Sequence, residues 1–240
     1  MLNRRHALLL GASAAIGGPT RQAEASLGSM RASPARLVTG MLNFKEDVSP
    51  ERTAQIVTAM RHAARTSGAQ GFMIGQNLSP QPFPTRFEWI YMIQFRPASA
   101  EMAKSAAALF RDEHVGWVAY VRNEVACDLA CPLPPRFASG AGIKVRHTVM
   151  FDFKPDAPTE ARERNVAAIR RMGELPTVQR YLVQPSASPT PDSTQMQWQV
   201  VGDFANLADF RAYLDAPVHL AIRDDFTAHT SRVAFIDVEL

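Results

Sequence analysis

The chain has 240 residues, 46% of them hydrophobic, with 26 Lys and Arg against 23 Asp and Glu for a formal charge of +3. That excess belongs to the N-terminus: without Arg4, Arg5, Arg21 and Glu24 in the first 25 residues, 23 basic residues face 22 acidic ones, a charge of +1. The balance excludes the basic footprint of a nucleic-acid-binding domain, and beyond the N-terminus no apolar stretch is long enough to cross a bilayer.

Residues 1–25 carry a three-part leader pattern. Asn3-Arg4-Arg5-His6 is basic, Ala7 to Gly18 is mildly apolar, and Ala23-Glu24-Ala25 is a small-x-small cleavage site before Ser26. The paired arginines resemble a twin-arginine export signal, although Ala7 stands where that signal usually carries Phe. The apolar run, rich in Gly and Ala, is too short to span a membrane, so the mature chain is expected to be a soluble periplasmic or secreted protein. Residues 26–35 are small and polar and read as a flexible segment.

From there the chain reads as two halves that echo each other. In residues 36–131, a strand over Leu37–Phe44 precedes a helix after Ser49-Pro50. Strands follow over Gly71–Gln76 and Phe87–Phe95, the second placing Phe87, Trp89, Tyr91, Ile93 and Phe95 on one face. Helices over Ala100–Phe110 and Asp112–Tyr120 and a strand near Val125 complete the half. The Pro/Gly-rich stretch 132–142 reads as a linker.

Residues 143–240 repeat the order. Ile143–Phe153 alternates, with Val145, His147, Val149, Phe151 and Phe153 on one face and Arg146, Thr148, Met150 and Asp152 on the other. Thr159 is placed to cap a helix to about Gly173, whose stripe is Val166, Ile169 and Met172. Strands over Val178–Gln184 and Met196–Phe204 follow, the latter with Met196, Trp198, Val200 and Phe204 on one face. Asn206 caps a short helix to Asp215, Pro217 opens another to about Phe226, and Val233–Val238 is the last strand. The order β-α-β-β-α-β, twice, predicts an α+β protein of two ferredoxin-like repeats. Each antiparallel sheet has one face covered by helices, and the other faces pair into an intramolecular α+β barrel.

Cys127 and Cys131 are the only cysteines. A disulfide between them would close a very small loop and stabilise little, and the spacing is neither a redox nor a metal motif. No phosphate loop, Ser/His/Asp signature or metal-binding histidine pair appears, so neither a cofactor nor a metal is expected.

The second half resembles the stress-responsive A/B barrel (Dabb) family of the dimeric α+β barrel superfamily. The resemblance is carried by Arg146-His147-Thr148-Val149-Met150-Phe151-Asp152-Phe153-Lys154, Leu175-Pro176-Thr177-Val178, Phe204, Tyr213-Leu214-Asp215-Ala216-Pro217-Val218-His219 and Phe235-Ile236-Asp237. The first half is similar more weakly, through Asn43-Phe44-Lys45, Phe95 and His114-Val115-Gly116. The resemblance implies sheets paired into a barrel, here within one chain as a monomeric pseudo-dimer. The second half is also similar to olivetolic acid cyclase, a polyketide cyclase of this family, which implies catalytic roles for His219, Tyr213 and His147. Ala216 replaces that enzyme's middle histidine. Val38 and Ala108 stand at the His147 and Tyr213 positions of the first half, where only His114 remains.

The chemistry so implied is proton transfer on a carbonyl compound, a lyase or cyclase reaction. His219 would act as general base, Tyr213 as donor to the developing oxyanion, and His147 as the orienting group. A plainer reading makes the histidines helix-capping or packing residues and Tyr213 an amphipathic core residue. The preferred expectation is a small, largely apolar ligand with no established catalysis. A protein-interaction module through the barrel exterior is a third reading.

Overall fold

A computed structural model describes residues 35–78, 87–95, 116–131, 142–187 and 194–240. Residues 1–34, most of the stretch 132–142, the helix read over Ala100–Phe110, and His114 lie outside them. The elements are β1 (Ala35–Phe44), α1 (Pro50–Thr66), β2 (Gly71–Gln76), β3 (Trp89–Phe95), β4 (Val121–Cys131), β5 (Val145–Phe153), α2 (Thr159–Met172), β6 (Val178–Pro185), β7 (Trp198–Phe204), α3 (Leu207–Leu214), α4 (Pro217–His229) and β8 (Thr230–Glu239). They form two four-stranded antiparallel sheets of matching order, β2-β3-β1-β4 and β6-β7-β5-β8. This is the expected α+β ferredoxin-like fold, present twice.

Local chemistry sets the helix ends. Ser49 accepts the Arg52 N–H at 3.2 Å with Pro50 as the first helical residue, and Asn206 accepts the Asp209 N–H at 2.8 Å. Thr159 does not cap α2; it is the first helical residue, and Pro158 takes the cap position without a side-chain bond. The turn before α2 is tied instead by Arg162, which donates to the carbonyls of Lys154, Pro155 and Ala157 at 2.8–2.9 Å.

Period-2 alternation divides each strand between two environments. Trp89, Tyr91, Ile93 and Phe95 pack with α1 residues such as Ile56 and Met60, and Trp198, Val200 and Phe204 pack with Val166, Ile169 and Tyr213. The opposite faces meet in the barrel interior, where Leu37, Met41, Met92, Cys127 and Leu129 join Met150, Val201, Ile236 and Val238. Phe87 and Met196 do not share the face of the residues after them; both belong to this interior cluster. Alternation fails there because both precede the strand proper. The next residues are pinned instead: Asn43 Oδ1 accepts the Glu88 N–H and Asp152 Oδ1 the Gln197 N–H, each at 2.7 Å.

The barrel closes by backbone bonds across the repeats. Leu78 N–H donates to Asp237 C=O at 2.7 Å, and Ala187 N–H to Asp128 C=O at 2.6 Å. Ala126 bonds both Thr194 and Met196 at 2.8 Å. Cys127 and Cys131 lie four residues apart on β4, about 13 Å along an extended strand. A disulfide requires Cα atoms within about 7 Å, and Cys127 is a free, buried thiol. Among the described residues no helix is long and apolar enough to cross a membrane.

Candidate functional site

His147 points to the helix side of β5, directly opposite Asp237 on β8. Its Nδ1 lies 2.6 Å from Asp237 Oδ1, and both residues are buried. The imidazole packs against Phe210 and Tyr213 of α3, with ring centroids 5.4 and 5.9 Å away. Tyr213 is 1% exposed. Its hydroxyl shares a 2.9 Å hydrogen bond with Tyr181 and donates to Met172 Sδ at 3.8 Å. Tyr181 reaches this position by crossing Gly173 and Gly202; a Cβ on those residues would come within 2.8 and 3.2 Å of it.

His219 follows the Asp215-Ala216 joint, at the third position of α4, because Pro217 restarts the helix there. Its ring lies 5.0 Å from that of Tyr213, and its Nδ1 is buried without a hydrogen-bond partner. The structure therefore brings His147, Tyr213 and His219 into one cluster, with the Tyr213 ring near both imidazoles. Desolvation, and then the neighbouring His147, hold the His219 pKa below its ordinary value. Burial pushes the Tyr213 phenol up to about 12, so near neutral pH it is a proton donor.

His147 and Tyr213 are buried, while His219 is partly exposed. Beside the cluster lies a cleft of about 340 Å³, lined by Leu78, Val145, Leu207, Phe210 and Leu214, with Lys144, Asn206, Arg211, Asp237 and Glu239 adding polar groups. Phe210 and Asp237 belong both to the cleft wall and to the surroundings of His147. None of His147, Tyr213 and His219 lines the cleft. Among the described residues no group of three His, Cys, Asp or Glu is placed to hold a metal.

Among the described residues the first repeat does not repeat the His147–Asp237 pair. Val38 faces Asp128 where His147 faces Asp237, and Arg36 donates to the Asp128 carboxylate, its Nε at 2.9 Å. The positions of Ala108 and His114 lie outside the described residues. Reading the sequence did not single out Asp237, Tyr181, Leu78 or Phe210 as site residues. Asp237 meets His147 only through strand register, and Leu78 arrives from the other repeat, so neither leaves a local motif.

No curated protein matches the chain in sequence. Among solved structures, an anthrone oxidase-like protein is 12% identical with a TM-score of 0.60, covering 87% of this chain and 92% of its own. A putative monooxygenase from Fusobacterium nucleatum subsp. nucleatum is 9% identical with a TM-score of 0.55, covering 88% and 93%. At these identities the likeness shows the fold, and it extends over both repeats. A Dabb family protein from Mesorhizobium loti is 26% identical with a TM-score of 0.34, covering 40% of this chain and 94% of its own. Residues 145–240, which contain the whole histidine and tyrosine cluster, match the family model of the stress responsive A/B barrel (Dabb) domain.

Proposed function

We propose that this chain is an exported tandem Dabb protein whose second repeat binds a small molecule with a largely apolar body. The observation that carries the reading is the cleft beside His147. Leu78 and Leu207, 44% and 42% exposed, both line it, and Val145, Phe210 and Leu214 extend the same apolar surface. Large aliphatic side chains left in water within one concavity are the signature of a ligand site. Asp237 and Asn206 supply polar contacts. The basic, apolar and small-residue pattern of residues 1–25 supports export, and the intramolecular barrel supports a monomer.

The test is a thermal-shift screen of the mature chain beginning at Ser26. A ligand at about 100 times its Kd adds about 2.7 kcal/mol. In a chain of this size that raises Tm by about 5–10 °C. Leu207→Glu should abolish the shift. Hits that stabilise wild type and Leu207→Glu equally would overturn the reading, as would a metabolite library with no hits.

A second reading, a lyase or cyclase acting on a carbonyl compound, is favoured by one observation: the Tyr213 ring packs near two imidazoles, one with a buried nitrogen that has no hydrogen-bond partner. Such a substrate would have to displace neighbouring side chains to reach Tyr213, which is buried and bonded to Tyr181. If His219 is an acid or base, His219→Ala should lower turnover about 10²-fold or more at unchanged fold. Turnover unaffected by the change would remove His219 from the chemistry.

A further inference from the structure

The pseudo-twofold relation between the repeats lets each seam of the barrel be compared with its counterpart. At one seam Leu78 N–H bonds Asp237 C=O at 2.7 Å, and Asn77 Oδ1 accepts the Asp237 N–H at 3.3 Å. At the other, Ala187 N–H bonds Asp128 C=O at 2.6 Å, and Ser186 Oγ donates to the same carbonyl at 3.3 Å. The backbone geometry is repeated; the side chains are not. Leu78 occupies the place of Ala187, Val145 that of Arg36, and His147 that of Val38. At the second seam Arg36 spends its guanidinium on the Asp128 carboxylate. At the first, the apolar Val145 stands in the place of that arginine, the Asp237 carboxylate is held by His147 instead, and the cleft lies there.

Leu78 is also held in place. Asn77 N–H donates to Glu88 C=O at 2.8 Å, and its side-chain amide donates to Phe87 C=O at 2.8 Å. The leucine is thus an exposed apolar group on a strap bonded on both sides, presented by the first repeat to a cleft otherwise built from the second. A merely structural connection would not need it, since Ala187 makes the equivalent connection with a methyl group.

We infer that Leu78 is the specificity-determining wall of this cleft: the first repeat sets how large an apolar group the second repeat accepts. The inference rests on the reading of the cleft as a ligand site. Its probes are straight-chain 1-alkanols from butanol to decanol, titrated calorimetrically into the mature full-length chain. Affinity should rise about fourfold per methylene until the chain reaches Leu78, then level off. Leu78→Ala should weaken the short alkanols and move the plateau out by about two or three carbons. Leu78→Trp should weaken all of them at least tenfold, by filling the cleft. Ala187→Trp, the same change at the counterpart seam, should leave every value unchanged. A length limit present in wild type but unmoved by either Leu78 change would overturn this inference and leave the ligand site standing. Equal effects of Leu78→Trp and Ala187→Trp would do the same. Failure of every alkanol to bind wild type and Leu78→Ala would overturn both.

Discussion

Replacing Asp203 with alanine should destabilise the protein by about 3–5 kcal/mol, because it removes the carboxylate that compensates a charge buried inside the barrel. Arg146 is fully buried, and its guanidinium grips Asp203 with Nε at 2.7 Å from Oδ1 and Nη2 at 3.1 Å from Oδ2. Its Nη1 faces the sulfurs of Met73 and Met92 at 3.2 and 3.6 Å, and thioethers are weak acceptors. Arg180 also bonds Asp203, with Nε at 2.7 Å, but its side chain is one-third exposed. Solvent screens that pair, so Arg180→Ala should cost under about 1 kcal/mol. The two variants touch one carboxylate yet should differ severalfold. Replacing both buried charges with apolar groups, Arg146→Met with Asp203→Leu, should recover about 2 kcal/mol or more of the Asp203→Ala loss. Urea unfolding followed by circular dichroism measures all four proteins, and Asp203→Ala should lower Tm by about 6–20 °C. An Asp203→Ala cost no greater than that of Arg180→Ala would refute this account of the interior.

Gly40→Ala places a Cβ 2.3 Å from the Tyr91 ring, which crosses β1 there to donate to Glu124 Oε1 at 2.7 Å. It should cost about 1–3 kcal/mol by chemical denaturation, and less in a Tyr91→Leu background. Because the His219 pKa is depressed in the folded state, the unfolded chain binds more protons between that value and about 6.5. Stability should therefore fall as pH drops through this window and be fully present above it. His219→Gln should flatten that part of the stability–pH curve, and an unchanged slope would count against desolvation of this partly buried imidazole. Burial pushes the Cys127 thiol up to about 12, so it should stay unmodified by Ellman's reagent at pH 8 until urea unfolds the barrel.

The duplicated fold was legible because alternation in Val145–Phe153 and Trp198–Phe204, together with Ser49-Pro50, Asn206 and Pro217, encodes elements locally. Thr159 misled because a threonine before a helix signals a cap only if the chain turns helical one residue after it. Phe87 and Met196 misled because period 2 holds only inside a strand, and long-range bonds to Asn43 and Asp152 pin the neighbouring residues instead. The gathering of His147, Tyr213 and His219 was readable only through family resemblance, since Tyr213 and His219 sit on different helices. Asp237 and Tyr181 join them through strand register and glycine clearance, and Leu78 reaches the neighbouring cleft through the seam between repeats. Those relations exist only once the barrel has closed.

The central claim, that the cleft at the Leu78 seam is the ligand site, is tested most directly by methyl NMR. The spectra are those of the leucine-labelled chain beginning at Ser26, titrated with 1-octanol. The methyls of Leu78, Leu207 and Leu214 should shift together and saturate at one concentration, while those of the interior Leu37 and Leu129 stay still. Shifts confined to Leu37 and Leu129, or the absence of any saturable shift at the three cleft leucines, would contradict it.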